Sequence, residues 1–244
     1  MYFIIYDFET TGLSVRFDQI LQAGFICYNK NLQEISRLNI RAKINPDIVP
    51  SIQGLVVNKL LISTLLNENN SSYSMVNSIV NYLDKYRPAT FLGYNSLHFD
   101  EEVLRQTLWE HFKYPYITSS QRNLRGDLME LVRMVHKLNP NSINVDKNEE
   151  GNFSYKLDSL STMNNFHIQD AHEAISDIIA TKKVLEIIKN NSHKLYENFL
   201  ENLNVSHLTK KIKNTDFFTM HAYYYGKHYI YLLSHLVDHP IYND

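Results

Sequence analysis

Cysteine is almost absent: the single thiol, Cys27, lies in the apolar run AGFICY. A disulfide framework is thereby excluded, and a buried structural thiol is the expectation. No apolar run is long enough to span a bilayer, and the apolar start before Tyr6 and Asp7 is too brief for a signal peptide. An intracellular protein without a membrane partner is expected. An excess of either charge is missing too. Lys and Arg number 24 against 26 Asp and Glu, a net charge of −2, so no global positive field advertises a nucleic-acid partner. A site for a polyanion has to be local, built from a few cations or from metal ions. Glycine (7) and proline (6) are scarce while Asn, Ile, Lys and Tyr abound, the bias of an AT-rich genome, which carries no chemistry. Internal repeats and low-complexity tracts are lacking. What is present is 44% hydrophobic and 20% charged over 244 residues, material for one large domain or for one domain and part of a second.

The apolar run Tyr2–Tyr6 predicts a strand buried on both faces. Gln19–Tyr28 and Leu32–Ile44 read as two more strands, with a turn at Asn29–Gln33 between them, and NPDIVPSIQG reads as a loop. Tyr73–Tyr86 has helical spacing and ends before Pro88; Thr90–Tyr94 is a short buried strand. Helices are predicted over Asp100–Phe112, Asp127–Leu138, Tyr155–Asn164 and Ala171–Asn190, with a polar loop from Asn139 to Ser154. Three β-runs, then helix, strand and several helices predict an α/β fold with a mixed sheet flanked by helices. The expected division is a first domain over residues 1–190 and, over residues 191–244, a linker helix and the start of a small β-rich second domain. That tail contains the aromatic stretch FFTMHAYYYGKHYIYLLSHLVDHP with a turn at Gly226.

Asp7 and Glu9 end the first strand one residue apart, so strand alternation points both the same way. A D-x-E pair alone reads equally as a solvated strand terminus. The sequence TTGL follows it, offering two hydroxyls and a glycine where backbone N–H groups can approach a ligand. Asp100 follows a buried strand at a helix start, where a first-turn acid is the ordinary alternative. In DAHEAISD, His172 and Asp177 are five positions apart, too large a rotation for one narrow helix face, so His172 belongs at or before the helix start. A surface histidine and a solvated helical acid are the plain alternatives there. Taken together, four acids converging would repel one another, and a divalent cation resolves that repulsion. All-oxygen ligands suit Mg²⁺ or Mn²⁺, and two such ions ~4 Å apart can activate water and stabilise the leaving oxygen of a phosphodiester. His172 would then be the general base.

These motifs resemble the DEDDh 3′→5′ exonucleases, a family with the ribonuclease-H-like fold. Within it they are most similar to the bacterial exonuclease I group, which degrades single-stranded DNA. The segments LGYNSLHFDEEVLR, Pro115-Tyr116, RGDLMELVR and FSYKLDSLSTMNNFHIQDAHEAISD carry the resemblance over Tyr2 to about Asn190. It implies metal binding by Asp7, Glu9, Asp100 and Asp177, two Mg²⁺ ions for which Mn²⁺ can substitute, and His172 as the base. It implies that Glu9, Thr10, Thr11, Gly12 and Leu13 hold the 3′-terminal nucleotide. Arg105, Tyr116, Arg133 and Lys156 match positions that touch the strand, and Asn95 and Phe99 positions that support the shape of the site. For the three cations a solvated helix charge is the alternative. The implied partners are single-stranded DNA with a free 3′ end and the C-terminal tail of single-stranded DNA-binding protein, and the implied location is a bacterial cytoplasm beside the nucleoid.

The sequence departs from the group in its TTGL turn, in a shortened DIVPSIQGL loop, and in a tail that resembles only the beginning of a following barrel. A fragment or a naturally short relative is expected, with reduced affinity and processivity and an open β-edge. The alternatives within the class are a proofreading subunit or an RNA exonuclease. Outside it they are a non-catalytic nucleic-acid-binding module or a structural cation site.

Overall fold

The computed structural model describes residues 2–57, 61–168 and 173–238. Strands β1 (Tyr2–Thr10), β2 (Ile20–Tyr28) and β3 (Glu34–Arg41) form an antiparallel meander. Short helices α1 (Ile52–Val57) and α2 (Ile62–Leu66) lead into α3 (Ser72–Lys85), which Ser71 caps through its hydroxyl, 3.1 Å from the Ser74 N–H. Strand β4 (Ala89–Gly93) returns parallel to β1, and after α4 (Asp100–Glu110) strand β5 (Leu124–Asp127) runs parallel to β4. The sheet order is β3-β2-β1-β4-β5, a mixed sheet with β1 at its centre. Helix α5 (Leu128–Leu138), a two-residue hairpin of β6 (Asp146–Lys147) and β7 (Phe153–Ser154), and helices α6 (Leu157–Met163), α7 (Ala174–Asn191), α8 (His193–Asn202) and α9 (Val205–Lys213) follow. The chain then folds into a second hairpin, β8 (Phe218–Tyr224) and β9 (Lys227–Leu233). None of the described helices is long and apolar enough to cross a membrane.

Strand alternation explains why β1 is central. Ile4, Tyr6 and Phe8 turn to one side, where Phe25, Phe91 and residues of α3 and α4 such as Ile79 and Leu104 bury them. Phe3 and Ile5 turn to the other, against Ile26, Leu92, Leu131, Ile178 and Leu185. Each such side chain removed from water contributes about 2 kcal/mol, so a strand with two apolar faces is stable only between two helical layers.

Several elements differ from the sequence expectation. The polar tetrapeptide Leu124–Asp127 is a strand because its backbone completes the ladder beside β4, a tertiary effect that four residues do not announce. Helix α1 begins inside the expected loop, α6 starts at Leu157 rather than Tyr155, and α9 was not expected. Helix α8 leans on the second apolar layer, burying Tyr196 and packing Phe199, with Leu203 directly after the helix, against Gly126 of β5.

The β8–β9 hairpin turns at Tyr225 and Gly226, both with positive φ (50° and 75°), the primed geometry that matches strand twist. It docks on the nearby helices through a polar chain. The Tyr155 hydroxyl lies 2.8 Å from His136 Nδ1 and 2.6 Å from His228 Nε2, and His228 Nδ1 is 2.9 Å from His221 Nε2. Arg133 lies over the Tyr155 and Tyr223 rings, at 5.6 and 4.7 Å from their centroids. Burial lowers all three histidines, and the neighbouring imidazoles help push His228 down to about 4. Between the ordinary histidine value of 6.5 and about 4, the unfolded chain therefore binds more protons than the folded one. Docking stability is full above that window and is lost as pH falls through it. Amides of β8 and β9 should lose hydrogen-exchange protection between about pH 7 and about pH 5, corrected for intrinsic rates, while those of β1 and β2 hold. Equal loss in both sets would refute histidine-controlled docking.

Candidate active site

Strand β1 outruns its parallel neighbour. Its pairing with β4 covers Tyr2–Ile5, whereas its pairing with β2 continues to Thr10. The last residues of β1 thus present an open edge, which α4 closes. Asp100, the first residue of α4, accepts the Phe8 N–H at 3.2 Å, and the Tyr6 hydroxyl donates to the next acid, buried Glu101, at 3.0 Å. Glu101 is also held by Thr118 and by Arg125 Nη1 at 2.9 Å. The preceding loop is fixed by Asp127, whose carboxylate caps α5 through the Met129 N–H (2.9 Å) and accepts the Asn95 and Leu97 N–H groups at 3.0 and 3.3 Å. Asn95 has φ 58°, and Phe99 packs against the first apolar layer.

On the opposite face of the sheet the register makes two cross-strand rows: Asp7–Gly24–Asn39 and Glu9–Gln22–Arg41. The first turn of α7 lies over them. A Cβ on Gly24 would come within 2.9 Å of Ile178 Cδ1 and 3.0 Å of Ala174 Cβ, so glycine permits the approach. Asp177 is thereby brought to Asp7 and Glu9, and the three carboxylates offer oxygens that all lie within 4.8 Å of one another. Burial is the main cause that raises these acids. It pushes Asp7 well above the usual carboxylate range, helped by Asp100, Asp177, Glu9 and Glu173. Glu9 is raised to about 8 by burial and then by Asp177, Asp100 and Glu173, against some relief from Arg41. Asp100 rises to about 7, chiefly by burial and despite the Phe8 N–H. Among the described residues, no Lys or Arg forms a salt bridge with Asp7, Glu9 or Asp100.

His172 lies outside the described residues. The turn after β1 is held together by Asp18, which accepts the Thr11 hydroxyl at 2.6 Å and the Ser14 N–H at 2.7 Å. Thr10 donates its hydroxyl to the Gly12 carbonyl at 2.6 Å. Gly12 has the Asp18 carboxylate where a Cβ would stand, and Leu13 projects outward, 83% exposed. Arg105 bonds Glu102 at 2.6 Å and stacks over half-exposed Tyr116, 5.0 Å from its centroid. Arg133 pairs with Glu130 beneath the hairpin, and Lys156 is exposed at the start of α6. The site therefore gathers Asp7, Glu9, Asp100 and Asp177, with Thr10–Leu13 beside them; Arg105 lies further along the helix that Asp100 begins, whereas Arg133 and Lys156 stand on other elements. Gln22, Asn39, Gly24, Asp127 and Glu173 carry the architecture without having been singled out in the sequence. A helix-capping signal marks Asp127, which directly precedes an apolar helix.

The exonuclease family model (RNase_T) matches residues 4–185. The chain belongs to the exonuclease family. Exodeoxyribonuclease I of Haemophilus influenzae is 29% identical over 214 residues, covering 86% of this chain and 45% of that protein. The structure of Escherichia coli exonuclease I in complex with a dT13 oligonucleotide superimposes with a TM-score of 0.81 at 23% identity, over 86% of this chain and 45% of that one. A structure described as an ExoI/SSB-Ct complex gives a TM-score of 0.82 at 23% identity, over 91% and 48% of the two chains. This member of the exonuclease family thus spans less than half the length of these relatives, and it shares their fold.

Raised carboxylates give the pH dependence a definite sign. Between about pH 4.5 and the value of about 8 reached by Glu9, the folded chain binds more protons than the unfolded one. Metal-free stability should fall as pH rises through this range, and millimolar Mg²⁺ or Mn²⁺ should remove most of that slope in thermal melts. A metal-free melting temperature that rises between about pH 7 and about pH 8, where the lowered histidines beside the hairpin contribute no slope, would contradict the carboxylate assignment. Gly24→Ala should cost about 1–3 kcal/mol by overpacking and displace the start of α7. Urea unfolding and the divalent-cation affinity of the variant check this together.

Proposed function

We propose that this chain is a metal-dependent 3′→5′ exonuclease that degrades single-stranded DNA to mononucleotides. The observation that carries the reading is the meeting of Asp7, Glu9 and Asp177 at the end of the central strand, with Asp100 on its open edge. The donor set fits a hard divalent cation: every ligand atom is an oxygen, and the buried acids repel one another at neutral pH without one. Asp7, Glu9 and Asp177 would hold the metal, with Asp100 completing the set. Two Mg²⁺ or Mn²⁺ ions would supply charge neutralisation and Lewis acidity at the scissile phosphate. His172 takes the proton of the attacking water, whose oxygen bonds to phosphorus as the P–O3′ bond breaks. Solvent water protonates the leaving 3′ oxygen, which completes the hydrolysis.

The remaining chain residues bind and orient. Glu9 and the turn Thr10, Thr11, Gly12 and Leu13 receive the terminal nucleotide, Leu13 offering the apolar surface. Arg105 with Tyr116, and Arg133 and Lys156, provide charge and ring surface for the rest of the strand, a combination that binds without reading sequence. Single-stranded DNA and the tail of single-stranded DNA-binding protein are the proposed partners, supported by the neighbours in complex with dT13 and with SSB-Ct. The same reading assigns residues 1–190 to the nuclease unit and 191–244 to a following segment, and places the protein in a bacterial cytoplasm beside the nucleoid.

The test uses 5′-labelled single-stranded DNA, matched duplex and matched RNA, each with Mg²⁺, Mn²⁺ or EDTA. Single-stranded DNA should shorten from its 3′ end with either metal and not with EDTA. Asp177→Ala should lower the rate by more than about 100-fold, the scale of losing a group that stabilises transition-state charge. Preferred cleavage of RNA would move the substrate assignment, and cleavage unaffected by EDTA would overturn the mechanism.

A further inference from the structure

The carboxylate of Glu173 lies beside the cluster, close enough to act on Asp7 and Glu9, and the proposed chemistry does not use it. It stands at the N-cap of α7, four residues before Asp177, and its Oε2 accepts the Ser176 N–H at 3.1 Å and the Ser176 hydroxyl at 3.4 Å. A cap needs no more than that. Yet its other oxygen, Oε1, accepts Gln22 Nε2 at 2.5 Å and Asn39 Nδ2 at 3.2 Å. Gln22 is almost wholly buried and lies directly across the ladder from Glu9. Its amide nitrogen also donates to Asn39 Oδ1 at 2.8 Å, which closes a three-residue ring of hydrogen bonds. Asn39 belongs to the row that begins at Asp7. One side chain therefore ties the start of α7 to both rows from which the metal-binding acids project.

We infer that Glu173 is a positioning residue for the cation site: with Gln22 and Asn39 it fixes the first turn of α7 to the sheet, and so sets the position of Asp177 relative to Asp7 and Glu9. The inference rests on the proposed metal site. The physical reason for a bridge at this place is the mutual repulsion of the acids, which drives α7 away from β1 when the cation is absent. A hydrogen-bonded tie from the helix to the neighbouring strands opposes that displacement without adding a cation that would compete with the metal. Charge-assisted bonds of this kind are short and directional, so they define position as well as holding the helix. Groups that orient metal ligands from behind typically change metal affinity or activity by about 10–100-fold when removed.

The cap and the bridge are separable by length. Glu173→Asp keeps a favoured capping carboxylate but is one methylene too short to reach the sheet amides. Gln22→Met keeps the volume and removes the amide. Mn²⁺ binding to the full chain, read by electron paramagnetic resonance of the free ion, should weaken by about 10–100-fold in each variant. The metal-free melting temperature of Glu173→Asp should stay within a few degrees of the parent. The double variant should bind Mn²⁺ no more weakly than the worse single one, because both remove the same bridge. Asn39→Ala, at the exposed end of the bridge where folding is not at risk, should show a smaller loss in the same direction. Unchanged Mn²⁺ affinity in Glu173→Asp and Asn39→Ala, or losses in the double variant that multiply, would overturn the inference while leaving the metal site standing, provided Asp177→Ala abolishes binding. A parent chain that binds no Mn²⁺ would overturn both.

Discussion

The arrangement depends on holding like charges together in a place that water does not reach freely. Asp7, Glu9 and Asp177 crowd within 4.8 Å, and Asp100 joins them from the other side of the strand. Nothing about that arrangement is favourable for an isolated chain, so it has to be imposed by forces that act elsewhere. They are the apolar layers on both faces of β1, which fix the strand, and the ladder with β2, which fixes its register. Gly24 is where the imposition is most visible. It faces Asp7 across the ladder, and its missing side chain is what lets α7 deliver Asp177.

Two polar devices convert that general packing into a defined site. On the α4 side, alternate positions of the same strand hold consecutive acids: the Tyr6 hydroxyl holds Glu101 and the Phe8 N–H holds Asp100. The loop before α4 is held in turn by Asp127, which links it to the start of α5. On the α7 side the Glu173, Gln22 and Asn39 ring links the helix start to β2 and β3. Buried polar networks that are satisfied throughout define position more sharply than apolar contact does, because each bond has a direction.

The tail is attached by different means. The β8–β9 hairpin has a largely exposed surface and meets the helices through His221, His228 and Tyr223. Its contact with Arg133 connects it to a residue proposed to touch the DNA strand. The matched region covers 45% of these relatives, which contain further chain outside it. The attachment runs through imidazoles whose charged form burial disfavours, so it is sensitive to proton concentration.

Much of this was legible in the sequence because it is local. The alternation of β1, the helical spacing of Val76, Ile79 and Leu83, the Gly226 turn and the order of D-x-E, D and H-x4-D all follow from the sequence read along its length. So did the expectation that Asp7 and Glu9 face the same way, which needs only the pleat of a strand. The sequence could not announce that Leu124–Asp127 is a strand, since its signal is the neighbouring backbone of β4. Nor could it announce Gln22, Asn39 and Glu173, which are ordinary polar residues until the register of three strands and the placement of a helix bring them within hydrogen-bonding distance. The sequence by itself determined which acids are available and on which elements they ride. Only the tertiary structure decided how closely they meet and what holds them there, because those distances are set by packing between segments more than a hundred residues apart, such as Gln22 and Glu173.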